Sequence, residues 1–370
     1  MKSTKLRWGI LGTAQIARKI WQAIQLSGNS TVTAVASRDV ARSRKFIAEC
    51  QAPAPFPQIP RALGKYEDLI AAPDVDAIYL PLPTGIRKEW VLRAAAAGKH
   101  VLCEKPCAVT SADLLEMIEA CRRNHVQFMD GVMFMHTKRL GRMRAVLDDR
   151  KTIGRARRIS SAFQFDSDKK FYTTNIRANS QLEPLGCLGD QGWYCIRIAL
   201  WAMNWELPAR VSGRILSQVN PPAGGTPVIT EFSGELFFQN GASSDFYCSF
   251  VTALEQRVNL IGTKGWLSMN DFVLPFQGNH LAFETGRMEF HFKGTEAYMQ
   301  PHLKRWLVRE PGNSRRGAQE VNMVKNFANQ VQSGRLIKFW PEVALKTQQV
   351  LEACLESARR EEKMVILGKE

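Results

Sequence analysis

The 370-residue chain lacks any apolar run that approaches the roughly 20 residues needed by a membrane-spanning helix. Its start, MKSTKLRWGI, passes from polar residues into a predicted strand and has neither the apolar core nor the cleavage site of a secretory signal. The eight cysteines include no Cys-x-x-Cys pair, which argues against a zinc site and against a disulfide framework. These absences predict a cytoplasmic protein with reduced thiols, no bound metal and no membrane partner.

Acidic residues are also scarce relative to basic ones. Lysine and arginine number 50 against 35 aspartates and glutamates, which gives a formal net charge of +15. The basic residues are spread along the chain, and no helix-turn-helix or RNA-recognition motif is present. We therefore predict no nucleic-acid partner. The positive net charge is then explained either by a phosphate-bearing ligand or by a solvated basic surface.

The first third of the chain alternates predicted strands with predicted helices. The strands are 6–12, 31–36, 76–80, 99–103 and 126–130, and helices are predicted from Ile16 onward, over 88–97 and over 112–123. Such alternation is typical of a parallel, doubly wound sheet. Because 370 residues exceed one compact core, we predict two domains, the first an α/β Rossmann domain over residues 1–135.

The pattern changes beyond about residue 150. An apolar helix is predicted over 188–203, and strands over 156–165, 210–217, 231–238, 243–251, 257–262 and 265–269. Asn240-Gly241 predicts a type I′ hairpin turn between two of these strands. We therefore predict an α+β domain with an open antiparallel sheet over residues 136–370. Its two C-terminal helices, 318–333 and 341–360, are available to pack back on the first domain.

Residues 12–17 resemble a dinucleotide-binding turn. They read GTAQIA at a strand–helix junction, where the usual fingerprint is G-x-G-x-x-G/A. Ala14 departs from that fingerprint, since its methyl group points toward the phosphates, although a helix N-terminus still offers amide donors there. The position at the head of a βαβ unit favours a nucleotide site over a purely structural turn. We predict that the cofactor contacts Gly12, Thr13, Ala14, Gln15 and Ile16.

The end of the second strand bears on the choice between NAD and NADP. NAD enzymes place an acid there, whereas an arginine can pair with the 2′-phosphate of NADP. This chain has the small Ser37 followed by Arg38, with Arg42 one helical turn later. Asp39 favours the alternative, because a slip of two residues would put an acid at the ribose. We predict NADP as the cofactor, with NAD as the alternative.

Further segments carry a resemblance to a known family. GKHVLCEKP (98–106) resembles the Glu-Lys-Pro signature of the glucose–fructose oxidoreductase / inositol dehydrogenase / MocA (Gfo/Idh/MocA) family. The strand end 36–38, PLPT (81–84) and the Gly-x-x-x-Asp-x-Gly-x-Tyr stretch 186–194 match it as well. The likeness covers essentially the whole chain and looks greatest to a plant-type branch related to dihydrodiol dehydrogenases and NADP-dependent xylose dehydrogenases. It implies an NADP-dependent oxidoreductase acting on a sugar, polyol or cyclic diol.

The resemblance also implies roles for individual residues. Lys105 is the implied catalytic lysine, whose ammonium can polarise a carbonyl or stabilise a developing alkoxide. Tyr194 is the implied proton donor, tuned by Lys105 because a nearby ammonium favours the phenolate. Asp190, four residues earlier on the same helix, would orient substrate hydroxyls or the lysine. Further implied cofactor contacts are Leu82, Pro83, Thr84, Glu104 and Lys105.

Four other polar residues are predicted substrate contacts. Relatives commonly have histidine where this chain has Arg87, and a fixed charge at the mouth of the site would favour an anionic or highly hydroxylated substrate. The same departure could equally mean that the ancestral reaction has been lost. The remaining three match polar positions of the branch: His136, Arg139 and Arg177.

Two other functions stay open beside the dehydrogenase or reductase. One is a non-catalytic NADP-binding sensor or regulatory protein, which Ala14 and Arg87 keep open. The other is nicotinamide-assisted glycoside hydrolysis. The combined presence of Lys105, Asp190 and Tyr194 favours an enzyme, since a sensor has no need of acid–base groups. The resemblance further implies a homodimer that forms through the antiparallel sheet.

Overall fold

The computed structural model describes residues 5–220 and 225–368. The chain forms two compact units. The first runs to His136 and also includes Gln181–Pro184 and Asn313–Gln348, and the second comprises Thr137–Ser180, Leu185–Gly312 and the chain from Gln349 onward. Two segments from beyond residue 135 thus belong to the first unit. No helix in the described ranges is long and apolar enough to cross a membrane.

The helices and strands follow in chain order. The helices are α1 (Gln15–Ser27), α2 (Val40–Gln51), α3 (Tyr66–Ile70), α4 (Thr84–Ala96), α5 (Ser111–Arg123), α6 (Lys138–Asp148), α7 (Lys169–Thr174), α8 (Trp193–Ala202), α9 (Gln319–Gln332) and α10 (Phe339–Arg359). The strands are β1 (Leu6–Leu11), β2 (Ser30–Ala36), β3 (Arg61–Leu63), β4 (Ala77–Leu80), β5 (His100–Cys103), β6 (Phe128–Asp130), β7 (Ala156–Asp166), β8 (Arg210–Val219), β9 (Val228–Phe237), β10 (Ser243–Ser249), β11 (Val251–Gly262), β12 (Trp266–Met269), β13 (His280–Lys293), β14 (Glu296–Arg309) and β15 (Val365–Ile366).

The first unit is built on a six-stranded parallel sheet. Its strand order is β3-β2-β1-β4-β5-β6. The central strands are buried on both faces and therefore read as apolar runs. The order reverses between β1 and β4, and in such sheets ligands bind at this switch point, beyond the carboxyl ends of the strands. The predicted Rossmann sheet is confirmed.

The core of the first unit includes a helix from late in the chain. α9 packs against α1, and its Phe327 lies against Trp8 of β1 with 5.0 Å between the ring centroids. Ile20, Trp21 and Ile24 form the buried face of α1, at the three- and four-residue spacing expected of an amphipathic helix. The first unit therefore completes its core only after the chain has formed the greater part of the second unit.

The second unit is built on a nine-stranded sheet of order β14-β13-β12-β11-β7-β10-β9-β8-β15. Neighbouring strands are antiparallel except β7 and β10, which pair in parallel at the centre. The sheet is thus mostly antiparallel, as predicted, but the one parallel pair makes it a mixed sheet. The parallel pair arises because the chain leaves β7 through α7 and α8 and returns to β10 only after forming β8 and β9.

The hairpin between β9 and β10 forms where it was predicted, but with a different turn. Of the two residues Asn240 and Gly241, only Gly241 has a positive φ, +78°. A type I′ turn needs positive φ at both central positions, so that turn type is wrong. Instead, Gly241 N donates to Phe238 O, and Phe238 N donates to Ala242 O. This arrangement closes a longer loop whose left-handed residue is the glycine, the usual three-residue alternative to type I′.

Candidate active site

The turn after β1 has the backbone that its sequence predicts. Gly12 has a φ of +116°, which favours glycine. A Cβ atom at Gly12 would lie 3.1 Å from Leu82 Cδ2, so the missing side chain also lets the turns after β1 and β4 approach. Gly12 N donates to Ala36 O at 2.8 Å, which ties this turn to the end of β2.

Ala14 is the N-cap of α1 and has no side-chain oxygen to accept bonds from the first-turn amides. Ala17 N donates to Ala14 O, which leaves the amides of Gln15 and Ile16 at the positive end of the helix, where a phosphate is stabilised. Thr13, Ala14 and Ile16 are half-buried, and Gln15 is exposed. Together with the close turn at Gly12, this uncapped helix end fits the pyrophosphate of a dinucleotide. Because the side chain of Ala14 is a methyl group, it cannot compete with a phosphate for these amides.

Asp39, the acidic residue that favours NAD, caps the helix that follows it. The Asp39 carboxylate accepts from Ala41 N at 2.9 Å and caps α2. Ser37 is buried, and its hydroxyl donates to Asp39 O at 2.5 Å. Arg38 and Arg42 are exposed. Burial raises the pKa of the Tyr66 phenol, and the charges of Arg38 and Arg42 oppose part of that rise.

The Glu-Lys-Pro segment follows β5 at the carboxyl edge of the parallel sheet. Glu104 is buried, and its carboxylate accepts from Tyr79 Oη at 2.6 Å and from Lys105 N at 3.3 Å. Burial raises the pKa of Glu104, while the Tyr79 hydrogen bond and the charges of Lys105 and Arg87 oppose the rise. The Lys105–Pro106 peptide bond is cis. Lys105 thus follows a carboxylate that is anchored in the core.

Thr84 begins α4 and belongs to the same edge. Its backbone N and its Oγ1 donate to the Glu183 carboxylate at 3.1 and 2.6 Å. The neighbouring Gly85 N donates to Leu182 O at 2.8 Å. The segment 181–184 therefore caps α4 beside the predicted cofactor residues Leu82 and Pro83. Neither Glu183 nor Tyr79 was predicted as a site residue. Their hydrogen-bond partners, Thr84 and Glu104, are distant in the sequence, and no local motif indicates these contacts.

Arg87 lies elsewhere than expected. It is only 3% exposed, and its guanidinium donates to the backbone carbonyls of Leu82, Glu104 and Pro106. Each of the three guanidinium nitrogens therefore donates to at least one of these carbonyl oxygens. The expectation of a fixed charge at the mouth of the site is therefore corrected. Arg87 is part of the support for the Glu-Lys-Pro turn.

Asp190 and Tyr194 lie in the second unit, where the predicted helix begins in an unexpected form. Residues Leu188–Gly192 form a π-helical turn that continues as α8. Such turns occur frequently at functional sites because they displace side chains from their α-helical positions. Asp190 Oδ2 pairs with Arg177 Nε at 3.0 Å. Tyr194 is 7% exposed, and its ring lies edge-on to Phe163 at 5.6 Å.

The structure does not support substrate contact by Arg139. Arg139 is 1% exposed, forms an ion pair with Asp271 through Nη1, and donates to Asp271 O and Ala282 O. Arg139 therefore belongs to an internal ion pair of the second unit, and the expectation that it contacts substrate is corrected. Asp271 also accepts from Phe276 N at 3.0 Å, so the pair holds a loop.

His136 belongs to the first unit. Its ring stacks on Trp340 at 4.5 Å between centroids, and its Nδ1 lies 3.3 Å from Asn326 Nδ2. Its carbonyl oxygen accepts from Asn322 Nδ2 at 3.2 Å. His136 thus packs against α9 and α10, and the prediction that it contacts substrate stays a prediction.

The strand order of the first unit, the turn at Gly12 and the anchored Glu-Lys-Pro segment define a dinucleotide-binding oxidoreductase. Residues 6–132 match the model of an oxidoreductase family with an NAD-binding Rossmann fold, and residues 141–268 match the GFO/IDH/MocA C-terminal domain. The chain belongs to the GFO/IDH/MocA family. The family resemblance stated from the sequence is thereby confirmed.

Characterised relatives are enzymes of the same class. Trans-1,2-dihydrobenzene-1,2-diol dehydrogenase of Bos taurus is 30% identical over 268 residues, covering 72% of this chain and 74% of the relative. D-xylose 1-dehydrogenase (NADP(+)) 2 of Haloferax volcanii is 29% identical over 361 residues, covering 95% and 97%. These relatives support the predicted enzyme class, an NAD(P)-dependent oxidoreductase.

Solved structures share the fold over nearly the whole chain. Aldose-aldose oxidoreductase from Caulobacter crescentus has a TM-score of 0.77 at 24% identity, covering 98% of this chain and all of that one (100%). A point mutant of a 3-ketoreductase from Actinomadura kijaniata, solved with NADP and TDP-benzene, has a TM-score of 0.77 at 23% identity, covering 95% of this chain and 98% of that one. The predicted combination of a Rossmann domain with an α+β domain is confirmed.

Replacing Arg139 with Met tests the structural assignment of that residue. We expect the free energy of unfolding to fall by about 3–5 kcal/mol, because Asp271 is left as a buried, unpaired charge. Urea unfolding followed by circular dichroism measures the change. The double variant Arg139→Met/Asp271→Leu should recover part of the loss. A stable Arg139→Met protein with a raised KM for substrate would return Arg139 to the substrate site.

Proposed function

We propose that this protein is an NADP-dependent oxidoreductase that transfers hydride between the nicotinamide and a carbon bearing a hydroxyl or carbonyl group. The proposed substrates are sugars, polyols or cyclic diols. The observation that carries the proposal is the anchored Lys105 turn at the carboxyl edge of the parallel sheet, the edge that also holds the Gly12 turn. The names of the relatives, a diol dehydrogenase and a xylose dehydrogenase, support the substrate class.

The preference for NADP is argued from the end of β2. Arg38 and Arg42 bring two exposed positive charges to one place, and a 2′-phosphate is a dianionic acceptor that suits them. Asp39, the residue that would favour NAD, already accepts a bond from Ala41 N as the cap of α2. When bound, the cofactor supplies the hydride, and these arginines determine which dinucleotide is held.

The acid–base work is assigned to Lys105 and Tyr194. In the reduction direction the carbonyl oxygen becomes an alkoxide and must gain a proton. We assign stabilisation of this charge to the Lys105 ammonium and donation of the proton to Tyr194 Oη, as the family resemblance implies. Asp190, paired with Arg177, would orient the hydroxyls of a polyhydroxylated substrate.

We also propose a homodimer that uses one face of the second-unit sheet. Cross-strand partners in β13 and β14 point to the same side, as in Phe290 opposite Met299 and Gly286 opposite Leu303. All the large apolar side chains on this side are exposed, whereas Leu281 and Phe283 on the opposite side are buried. We call this side the outer apolar face: Met288, Phe290, Phe292, Met299, Leu303 and Leu307.

A second copy of the chain fits the outer apolar face. Such a stripe on an edge strand is a site of association, and β14 is the edge strand here. Glu284 and Arg305, opposite each other in the β13–β14 pairing, add exposed charges of both signs to the same side. A two-fold pairing would let Arg305 meet the partner's Glu284 while the apolar stripes bury one another.

The cofactor preference is tested by replacing Arg38 with Ala. We expect the Kd for NADPH to rise about 10- to 100-fold, because a charge-assisted hydrogen bond contributes about 1.5–3 kcal/mol, and the Kd for NADH to change little. Titration of tryptophan fluorescence measures both constants. Arg44→Ala, which removes an exposed arginine of the neighbouring helix α2, is the control. Equal effects on the two nucleotides would contradict the assignment.

The catalytic assignment is tested by replacing Lys105 with Met and, separately, Tyr194 with Phe. Each variant should lower kcat by about 10²- to 10⁴-fold while leaving NADPH affinity nearly unchanged. Turnover is followed by the absorbance of reduced nicotinamide across a panel of sugars, polyols and diols. Lys151→Met, in an exposed loop, is the control. Wild-type protein that binds NADPH but turns over nothing would support a sensor instead.

The dimer is tested by replacing Leu303 with Asp. Wild-type protein should give the mass of a dimer in size-exclusion chromatography with light scattering, and the variant that of a monomer with unchanged circular dichroism. A carboxylate at this position cannot be buried without a partner. Leu216→Asp, at another exposed position of the same sheet, should stay dimeric. A wild-type monomer would refute the proposal.

A further inference from the structure

Arg87 is an unusual residue to find in the interior of the first unit. Its guanidinium is 3% exposed, and burying a charge costs several kcal/mol unless it is fully hydrogen-bonded. Nε lies 3.0 Å from Leu82 O, and Nη1 lies 2.8 Å from Glu104 O. Nη1 also donates to Pro106 O, and Nη2 donates to Leu82 O. The charge is thus satisfied by backbone carbonyls, with the Glu104 carboxylate nearby.

The three carbonyls come from two separate loops. Leu82 O lies in the loop after β4, whereas Glu104 O and Pro106 O are the carbonyls of the residues on either side of Lys105 in the loop after β5. A guanidinium is a rigid planar fork, so bonds from its three nitrogens fix the distance and the orientation between the two loops. A lysine or a histidine at position 87 could not make this set of bonds.

Other contacts hold the same turn from its remaining sides. Glu104 is fastened to Tyr79 and accepts from Lys105 N, and a Cβ atom at Gly131 would lie only 3.0 Å from Glu104 Oε1. Thr84 Oγ1 lies 3.4 Å from Pro106 O. The backbone before and after Lys105 is therefore held by buried groups, and Arg87 is the member of this set that donates to carbonyls of both loops.

We infer that Arg87 is a positioning residue for the reaction: it clamps the β4 and β5 loops so that the backbone of Lys105 is held in one orientation. This inference rests on the proposed function, in which Lys105 stabilises the charge of the reacting oxygen. A catalytic group displaced by about 1 Å loses on the order of 10²-fold in rate, so a clamp on its backbone contributes directly to kcat.

The decisive experiment replaces Arg87 with Ala and then supplies guanidinium ion. We expect kcat to fall about 10²-fold while the Kd for NADPH stays within about 3-fold of wild type. Guanidinium at concentrations below those that unfold the protein should restore part of the lost kcat, because it can occupy the vacated space and bridge the same carbonyls. Ammonium or sodium at equal ionic strength should not. Arg87→Lys should stay impaired, since one nitrogen cannot reach both loops.

Arg93→Ala is the matched control, because Arg93 lies on the same helix but is exposed and pairs with Glu67 and Glu89. It should keep wild-type kcat. The inference is overturned if Arg87→Ala loses no more kcat than Arg93→Ala. It is also overturned if guanidinium restores nothing, or if NADPH affinity falls as much as kcat, because either result indicates a general loss of packing.

Hydrogen exchange separates this inference from the proposed function. Peptides covering 103–107 should exchange faster in Arg87→Lys than in wild type, with α2 unchanged, and this readout needs no turnover and no alanine variant. Unchanged exchange in that peptide would refute the clamp even if Lys105 proves catalytic. If Arg87→Lys exchanges faster in this peptide but the wild-type enzyme turns over no substrate, the clamp is established and the proposed function is refuted, and with it the contribution of Arg87 to kcat.

Discussion

A buried guanidinium among backbone carbonyls is the contact on which the candidate catalytic edge depends. Arg87 joins the loops after β4 and β5, and these loops carry Leu82, Pro83 and Lys105. The loops that follow parallel strands meet at one edge of the sheet, so a donor with three nitrogens is well suited to hold that edge. The Glu104 carboxylate offsets the charge, and Tyr79 fixes the carboxylate in turn. Loss of the guanidinium would leave buried carbonyls without donors, which costs free energy at each one.

The nucleotide end of the same edge depends on backbone and not on charge. Gly12 provides a left-handed residue and the space for Leu82, and Ala14 leaves the first amides of α1 uncapped. In the proposed function, electrostatic selection of the cofactor begins at Arg38 and Arg42, whose exposed guanidinium groups follow β2. On that proposal the two tasks are separated along the chain: the Gly12 turn would accommodate any dinucleotide, and the arginines would discriminate between them. This division explains how a chain can depart from the usual glycine fingerprint and still belong to a nucleotide-binding family.

Sequence reasoning succeeded where the physical cause is local. The strand–helix alternation predicted the Rossmann sheet, and the Glu-Lys-Pro segment identified the family. It failed where partners are distant in sequence. Arg139 and Asp271 are 132 residues apart, and nothing near either residue signals the ion pair. The β13–β14 hairpin has no counterpart in the predicted elements, because its exposed half carries apolar side chains without a clear buried face. The Asn240-Gly241 turn failed for a subtler reason: the dipeptide predicts a hairpin, but the register of the flanking strands selects its length.

The sequence by itself determined the elements and their periodicity, the glycine turn, the strand-end arginines and the lysine of the Glu-Lys-Pro segment. These properties depend on φ preferences, on side-chain spacing and on residue identity, all of which can be read within a few positions. Tertiary structure alone decided which arginines meet solvent and which are internal. Arg87 and Arg38 are chemically identical, yet one is enclosed by carbonyls from two loops and the other is exposed. The environment of a charge is set by the long-range contacts that close around it, and those contacts exist only once the chain has folded.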